Sequence, residues 1–163
     1  MNTPAPATVI RFTVLGTARP QGNKRHVGRG VMLELPSLKP WRQAVSYCAR
    51  EAYRGDLLDG PIALRLRIFV PRPRSHFGKR GLKPGAPVLP HRRAQGDTSK
   101  MLRGIEDALT GIVWTDDKRV VSTDVVIVYG EPARAEIEIR DLEQALVALI
   151  EPAARPQKSL AFA

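Results

Sequence analysis

The chain has 163 residues, 43% hydrophobic and 26% charged, proportions that suit one compact domain with an ordinary core. Its single cysteine, Cys48, excludes an internal disulfide framework and any multi-cysteine zinc site, and no apolar run approaches the roughly 20 residues that cross a bilayer. Lys and Arg total 26 against 16 acids, a formal charge of +10. That balance favours a polyanionic partner, nucleic acid before membrane, because each phosphate neutralised releases condensed counterions.

The N-terminus lacks the basic start and apolar core of a secretory signal, so a cytoplasmic protein is expected. Thr8 to Val14 alternates and is rich in β-branched residues, which predicts a strand. Gly16 to Arg25 has the glycine and proline punctuation of a loop, and Val31 to Leu35 is a short segment able to pair nearby. Ser37 is the expected N-cap of a helix running to about Arg54, with Trp41, Val45, Cys48 and Ala52 on its core face. Pro61 to Val70 alternates apolar residues with Arg65 and Arg67, a strand with one wet basic face that Pro71 ends.

Residues 71–96 hold Pro71, Pro73, Pro84, Pro87 and Pro90, so no regular element is expected there. They also hold Arg72, Arg74, Lys79, Arg80, Lys83, Arg92 and Arg93, with no acid between the first and last. A loop that long inside a small domain is usually functional or disordered, and a solvated basic loop is the plainer reading of its charge; the carboxylates immediately downstream favour a loop that contacts DNA.

Met101, Leu102, Ile105, Ala108 and Leu109 form an apolar stripe that predicts a helix from Thr98 to Leu109, with Asp97 as N-cap and Gly111 closing it. After a turn at Thr115 to Arg119, Val120 to Tyr129 reads as a strand whose pattern breaks around Ser122 to Asp124. Gly130 to Pro132 turns the chain into the strictly alternating Ala133 to Arg140, and the two strands read as a β-hairpin. Asp141 caps a short helix to about Ile150. The expectation is therefore an α+β fold: one domain over residues 1–151, with a mixed sheet of about four strands, two main helices and a short C-terminal helix, followed by a loosely held tail at 152–163.

Two groups of residues could carry chemistry. Asp97, Lys100, Arg103 and Asp107 follow one another in steps of three and four, so they share the helix face opposite the apolar stripe. A solvated, ion-paired surface is the plainer reading of that face. Asp107, however, stands in the last turn, where the helix dipole disfavours an anion, so a cation or a hydrogen bond is expected to hold it. Asp116 and Asp117 alone read as an exposed turn. Yet a carboxylate at a helix start and a pair just after that helix can converge, and hard cations such as Mg²⁺ prefer oxygen ligands. His26, His76 and His91 show no metal-ligand spacing and read as surface or phosphate-adjacent groups. Cys48 and Trp41 read as packing residues, whereas Trp114 and Phe77 are more open, since a junction-binding protein could stack an exposed aromatic on bases or wedge it between them; for Trp114 packing is the favoured reading.

The block from Gly96 to Val121 resembles the signature of RusA-like endodeoxyribonucleases: an acidic doublet Asp-x-Asp, a basic residue one turn on, Asp-Ala-Leu, then Asp-Asp before a strand. Pro20 to Arg25, Lys39-Pro-Trp41 and the stretch from Arg72 to Phe77 are similar to versions carried by phages. The resemblance spans roughly Thr8 to Ile139 and is specific in 97–121. It implies a homodimer that binds four-way DNA junctions and cuts two opposing strands by Mg²⁺- or Mn²⁺-dependent phosphodiester hydrolysis, in recombination and repair. By the same resemblance Asp97 matches the first acid and Asp117 the later metal-binding acid, with Asp116 beside it. Arg103 takes the place of the family's catalytic basic residue, and Lys100 stands where many members have Asn. The cations expected to contact DNA are Lys24, Arg25, Arg72, Arg74, Lys79, Arg80, Arg92 and Arg93.

One departure matters. Position 99, where the second acid of the doublet belongs, is Ser99, a neutral and weaker ligand. Asp107 is the expected substitute ligand, since Glu106 is nine residues from Asp97 and half a turn out of phase with it. Two other readings stay open: a branched-DNA-binding protein that does not cut, and a basic RNA-binding domain whose carboxylates serve only as caps and turns.

Overall fold

The computed structural model describes residues 8–21, 25–26, 32–33, 37–91 and 97–143. The central strand is β4 (Ile62–Val70), whose alternate residues Ile62, Leu64, Leu66, Ile68 and Val70 are all buried. On one side of it lies β8 (Arg134–Asp141), antiparallel, which in turn pairs antiparallel with β1 (Val9–Leu15). On the other side lies β7 (Val120–Tyr129), parallel to β4. The sheet order is therefore β1-β8-β4-β7, the mixed four-stranded sheet that the alternating segments predicted. Short antiparallel ladders join β2 (Arg25–His26) to β3 (Met32–Leu33), and β5 (Phe77–Gly78) to β6 (Gly81–Leu82).

The hairpin expected of the last two strands does not form. Between β7 and β8 the structure inserts β4, and the connection from Gly130 to Ala133 crosses the end of that strand, tied to it by Gly130 N donating to Val70 O at 3.0 Å. The burial of β4 and β8 explains why. Each buries one face and lies between two neighbours, whereas β7 is the edge strand, and its residues 121–124 are exposed. The break in pattern at Ser122 to Asp124 reflects that edge, together with a register shift between Ile62 and Ala63 that leaves Val121 without a partner on β4.

Parallel strands need a crossover, and β4 reaches β7 through α2 (Thr98–Leu109). Helix α1 (Leu38–Ala52) packs against α2 and β1. Both helices share one core with Ile10, Val14, Ala135, Ile137 and Ile139 of the sheet. The core face of α1 is Leu38, Trp41, Val45 and Ala49. Cys48 is only half-buried and Ala52 is exposed, so the stripe runs one residue away from its expected line. Ser37 precedes the helix in αR backbone and makes no capping bond with its side chain. Gly104 lets α2 approach the incoming chain, for a Cβ there would lie 3.4 Å from Arg19 O.

The stretch after Pro71 has more order than its prolines suggest: a 3₁₀ turn at Arg74–His76 leads directly into β5 and β6. Asp141 accepts the amide of Glu143 at 3.0 Å, and the rest of the expected C-terminal helix and the tail lie outside the described residues. No helix among the described residues is long and apolar enough to cross a membrane.

Candidate active site

At the N-terminal end of α2, Asp97 stands in extended backbone, and its Oδ1 accepts the Ser99 hydroxyl at 2.8 Å and the Ser99 amide at 3.1 Å. That satisfies one of the amides a helix leaves unpaired at its start. The Ser99 hydroxyl and then its amide hold the Asp97 carboxyl below the usual carboxylate range, with a smaller contribution from the Lys100 ammonium. Ser99 thus acts as a donor to the acid beside it.

The other end of α2 is built differently. Asp107 Oδ2 accepts Gln21 Nε2 at 2.6 Å and also the Arg42 guanidinium from α1, which supplies the cation and the hydrogen bond that its place against the helix dipole calls for. Gly111, at φ +75°, closes the helix in left-handed backbone. Trp114, fully buried, donates from Nε1 to Thr110 Oγ1 at 3.1 Å, and Leu58 N donates to Val113 O at 2.8 Å, so the connection returns tightly to the start of β7. Asp59 fixes it further, accepting Thr115 Oγ1 at 3.0 Å and pairing with Arg119 at 2.5 Å.

This return presents the acidic pair. Asp116 caps the 3₁₀ turn Asp117–Arg119 by accepting the Lys118 amide at 3.0 Å, and Lys118 Nζ lies 3.5 Å from its other oxygen. The Lys118 amide holds the Asp116 carboxyl low, helped by Asp117 and the Lys118 side chain. Glu106 comes near this pair. Burial pushes its carboxyl up, the charges of Asp117 and Asp107 push the same way, and Arg103 opposes them.

Within the chain, the structure places Asp97 at the N-terminal end of α2 and Asp116 and Asp117 beyond its C-terminal end. Helix α2, 12 residues and hence about 18 Å long, stands between them. Among the described residues, no group of three or more His, Cys, Asp or Glu side chains is placed to hold a metal ion. Glu106 is the neighbour that helical phase does not reveal. It is out of phase with Asp97, and its partner is Asp117, eleven residues on and brought back by the turn at Gly111.

Among the cations, Arg74, Lys79 and Arg80 are exposed. Arg72 is half-buried, donating to Pro87 O at 2.7 Å and lying 4.1 Å over the Tyr129 ring, so it organises the loop. Lys24, Arg92 and Arg93 lie outside the described residues, and of Arg25 only the backbone is described. A basic surface not singled out in the sequence lies on α1, where Lys39, Arg42, Tyr47 and Arg50 line a hollow of about 400 Å³ beside Asp107. Its signal was the helical spacing of those residues. A hollow of about 480 Å³ on the open sheet face is a poorer anion site, because Glu138 there accepts Arg11 at 2.7 Å and Arg140 at 2.6 Å.

Residues 12–140 match the family of endodeoxyribonuclease RusA, a span that holds β4, β7 and α2 whole and most of β1 and β8. The chain belongs to the RusA family. That family comprises nucleases that act on Holliday junctions. A Bacillus subtilis (strain 168) protein, the uncharacterized protein YqaN, is 28% identical over 138 residues, covering 82% of this chain and 96% of its own length. The RusA match covers the capped Asp97, the basic loop and the acidic pair in one stretch.

Proposed function

We propose that this protein is a structure-selective endonuclease that cuts four-way DNA junctions by divalent-metal-dependent hydrolysis, acting as a homodimer in recombination and repair. The observation that carries the reading is membership of the RusA family over residues 12–140. The dimer follows from the reaction, since two opposing strands must be cut and two copies supply two sites. Asp97, at one end of α2, and Asp116 and Asp117, beyond the other, are the proposed ligands, and one ion takes them together only where the proposed dimer brings Asp97 of one copy to the acidic pair of the other. An all-carboxylate donor set suits Mg²⁺ or Mn²⁺, which takes one or two protein carboxylates and completes its shell with water and substrate phosphate. Asp107 belongs to the same proposed set, although its Oδ2 is engaged by Gln21 and Arg42.

Such an ion, when bound, polarises the scissile phosphate and lowers the pKa of water. The chain's own groups do the rest. Ser99 orients the Asp97 carboxyl and keeps it ionised, the form in which it would hold a cation. Lys100 and Arg103, exposed on α2, place positive charge where the leaving oxygen develops its negative charge. Arg74, Lys79 and Arg80 hold flanking phosphates, as do Lys24, Arg25, Arg92 and Arg93 in this reading, with Arg72 as the loop's anchor.

A second reading is favoured by Ser99: a junction-binding protein on the same fold that does not cut, for want of the second acid. One experiment separates the two. Purified protein is incubated with a labelled mobile four-way junction, and with linear duplex, in Mg²⁺, Mn²⁺ or EDTA. Symmetric nicking of the junction alone, abolished by EDTA and lowered at least roughly 100-fold by Asp117→Asn, is the expected result. Selective binding with no nicking in either metal establishes the second reading, and Ser99→Asp is then expected to restore cutting. RNA bound in preference to junction DNA would overturn both.

A further inference from the structure

Nine large apolar side chains are exposed among the described residues, and four of them, Phe77, Leu82, Val88 and Leu89, fall in the loop between β4 and α2. Phe77 and Leu82 are also direct cross-strand partners in the β5–β6 ladder, 47% and 52% exposed. Directly opposed residues of a ladder project from the same face, so the two side chains make one apolar surface. The turn that joins them is Lys79-Arg80, with Gly81 at φ +105°.

The hairpin is mounted rigidly. Lys83 donates its amide to His76 O and its ammonium to Ser75 O, both at 2.9 Å. His76 meets the Tyr129 ring edge-on at 5.6 Å, and Arg72 covers the same ring while bonding Pro87 O. Tyr129 is the last residue of β7, so one ring ties the loop to the end of the sheet. His91, the last described residue of the loop, is six residues from Asp97, so the two are at most about 20 Å apart.

We infer that the Phe77–Leu82 face of this hairpin is a wedge that takes the exposed faces of unstacked bases at a DNA branch point. The inference rests on the proposed function and deepens it by naming what distinguishes a junction from a duplex. An apolar surface with the exposed Arg74, Lys79 and Arg80 close to it along the chain, in a loop with no acid from Pro71 to His91, is complementary to apolar base faces flanked by phosphates. Continuous duplex hides those faces between neighbouring base pairs. At a crossover the stack is interrupted, and a side chain placed there replaces the lost stacking. The cations hold phosphate in either DNA, so they supply affinity, and the apolar pair supplies the preference.

The test uses the full chain in EDTA, with immobile four-way junctions carrying 2-aminopurine either beside the branch point or in mid-arm. Wild-type protein is expected to raise the fluorescence of the branch-point probe alone. The double variant Phe77→Ala/Leu82→Ala is expected to lose that rise and about tenfold of its junction affinity, with duplex affinity unchanged, which also shows that it is folded. Phe77→Trp is expected to keep both. A double variant with undiminished fluorescence and preference overturns the wedge alone. Loss of preference accompanied by loss of self-association in sedimentation also overturns it, by making the pair a contact between copies. A wild-type protein with no preference for the junction removes the proposed function, and the wedge with it.

Discussion

The two ends of α2 carry acids in opposite electrostatic settings. At the N-terminal end, Asp97 faces the positive end of the helix dipole, takes two bonds from Ser99 and is held ionised. At the C-terminal end, Glu106 and Asp107 face the negative end with Asp117 close by, and the fold has to offset the repulsion. It does so through Arg42 and Gln21 on Asp107, and by letting Glu106 hold its proton more tightly. An acid stabilised by its own helix is available at little cost. Acids crowded against a helix C-terminus are kept in place by tertiary structure, which marks that end as the one where a cation would be most welcome.

If the C-terminal end depends on tertiary support, its largest vulnerability is Trp114, which seals the return from α2 to β7. Trp114→Ala is expected to cost about 3–5 kcal/mol in urea unfolding, with the slope unchanged. A loss below about 1 kcal/mol would mean that the acidic pair is not anchored through this ring. Next in size is the ion pair. Arg42→Ala leaves Asp107 to the dipole and to Gln21, and is expected to cost about 1–2 kcal/mol, screening of these partly exposed groups being allowed for. A double-mutant cycle with Asp107→Ala should return a coupling of about 1 kcal/mol, and a coupling of zero would show that the pair is incidental. Smaller again is Ser99→Ala, which removes one bond and keeps the amide. It should move the Asp97 carboxyl up toward the ordinary aspartate range in an NMR titration, with Ser99→Thr restoring the low value.

What could be read from the chain was whatever depends on neighbours in sequence. The strand at Ile62–Val70, the helix at Thr98–Leu109, its Asp97 cap and its Gly111 stop rest on alternation, helical spacing and local bonds, and all were legible. That something must hold Asp107 was legible too, from the dipole, although Arg42 as its partner was not. The β7–β8 hairpin failed because a turn at Gly130 to Pro132 says nothing about whether a third strand enters between its arms. The core face of α1 was misread by one residue, since Cys48 and Ala49 are both small and apolar and only packing against the sheet chooses between them. Glu106 is set aside by its helical phase relative to Asp97, because its neighbour Asp117 is fixed by the path of the chain after the helix.

That neighbour gives the smallest and most specific test of the contrast between the two ends. Burial first, then Asp117 and Asp107, raises the Glu106 carboxyl above its unfolded value. The folded protein therefore binds that proton more tightly than the unfolded chain does. The stabilisation is fully present below the unfolded value and is lost as pH rises through the folded one, so at neutral pH the ionised Glu106 is a liability. Glu106→Gln keeps the shape and removes the charge. In metal-free buffer its Tm should exceed that of the wild type by about 2 °C at about pH 7, and the difference should vanish near about pH 4, where both side chains are neutral. Divalent cation added at neutral pH should narrow the gap if the acids at this end bind it, because the ion stabilises the wild-type carboxylate and leaves the amide variant behind. A variant less stable than wild type at neutral pH without metal would show that Glu106 is held as an anion by a favourable partner, and the contrast between the two ends of the helix would fall.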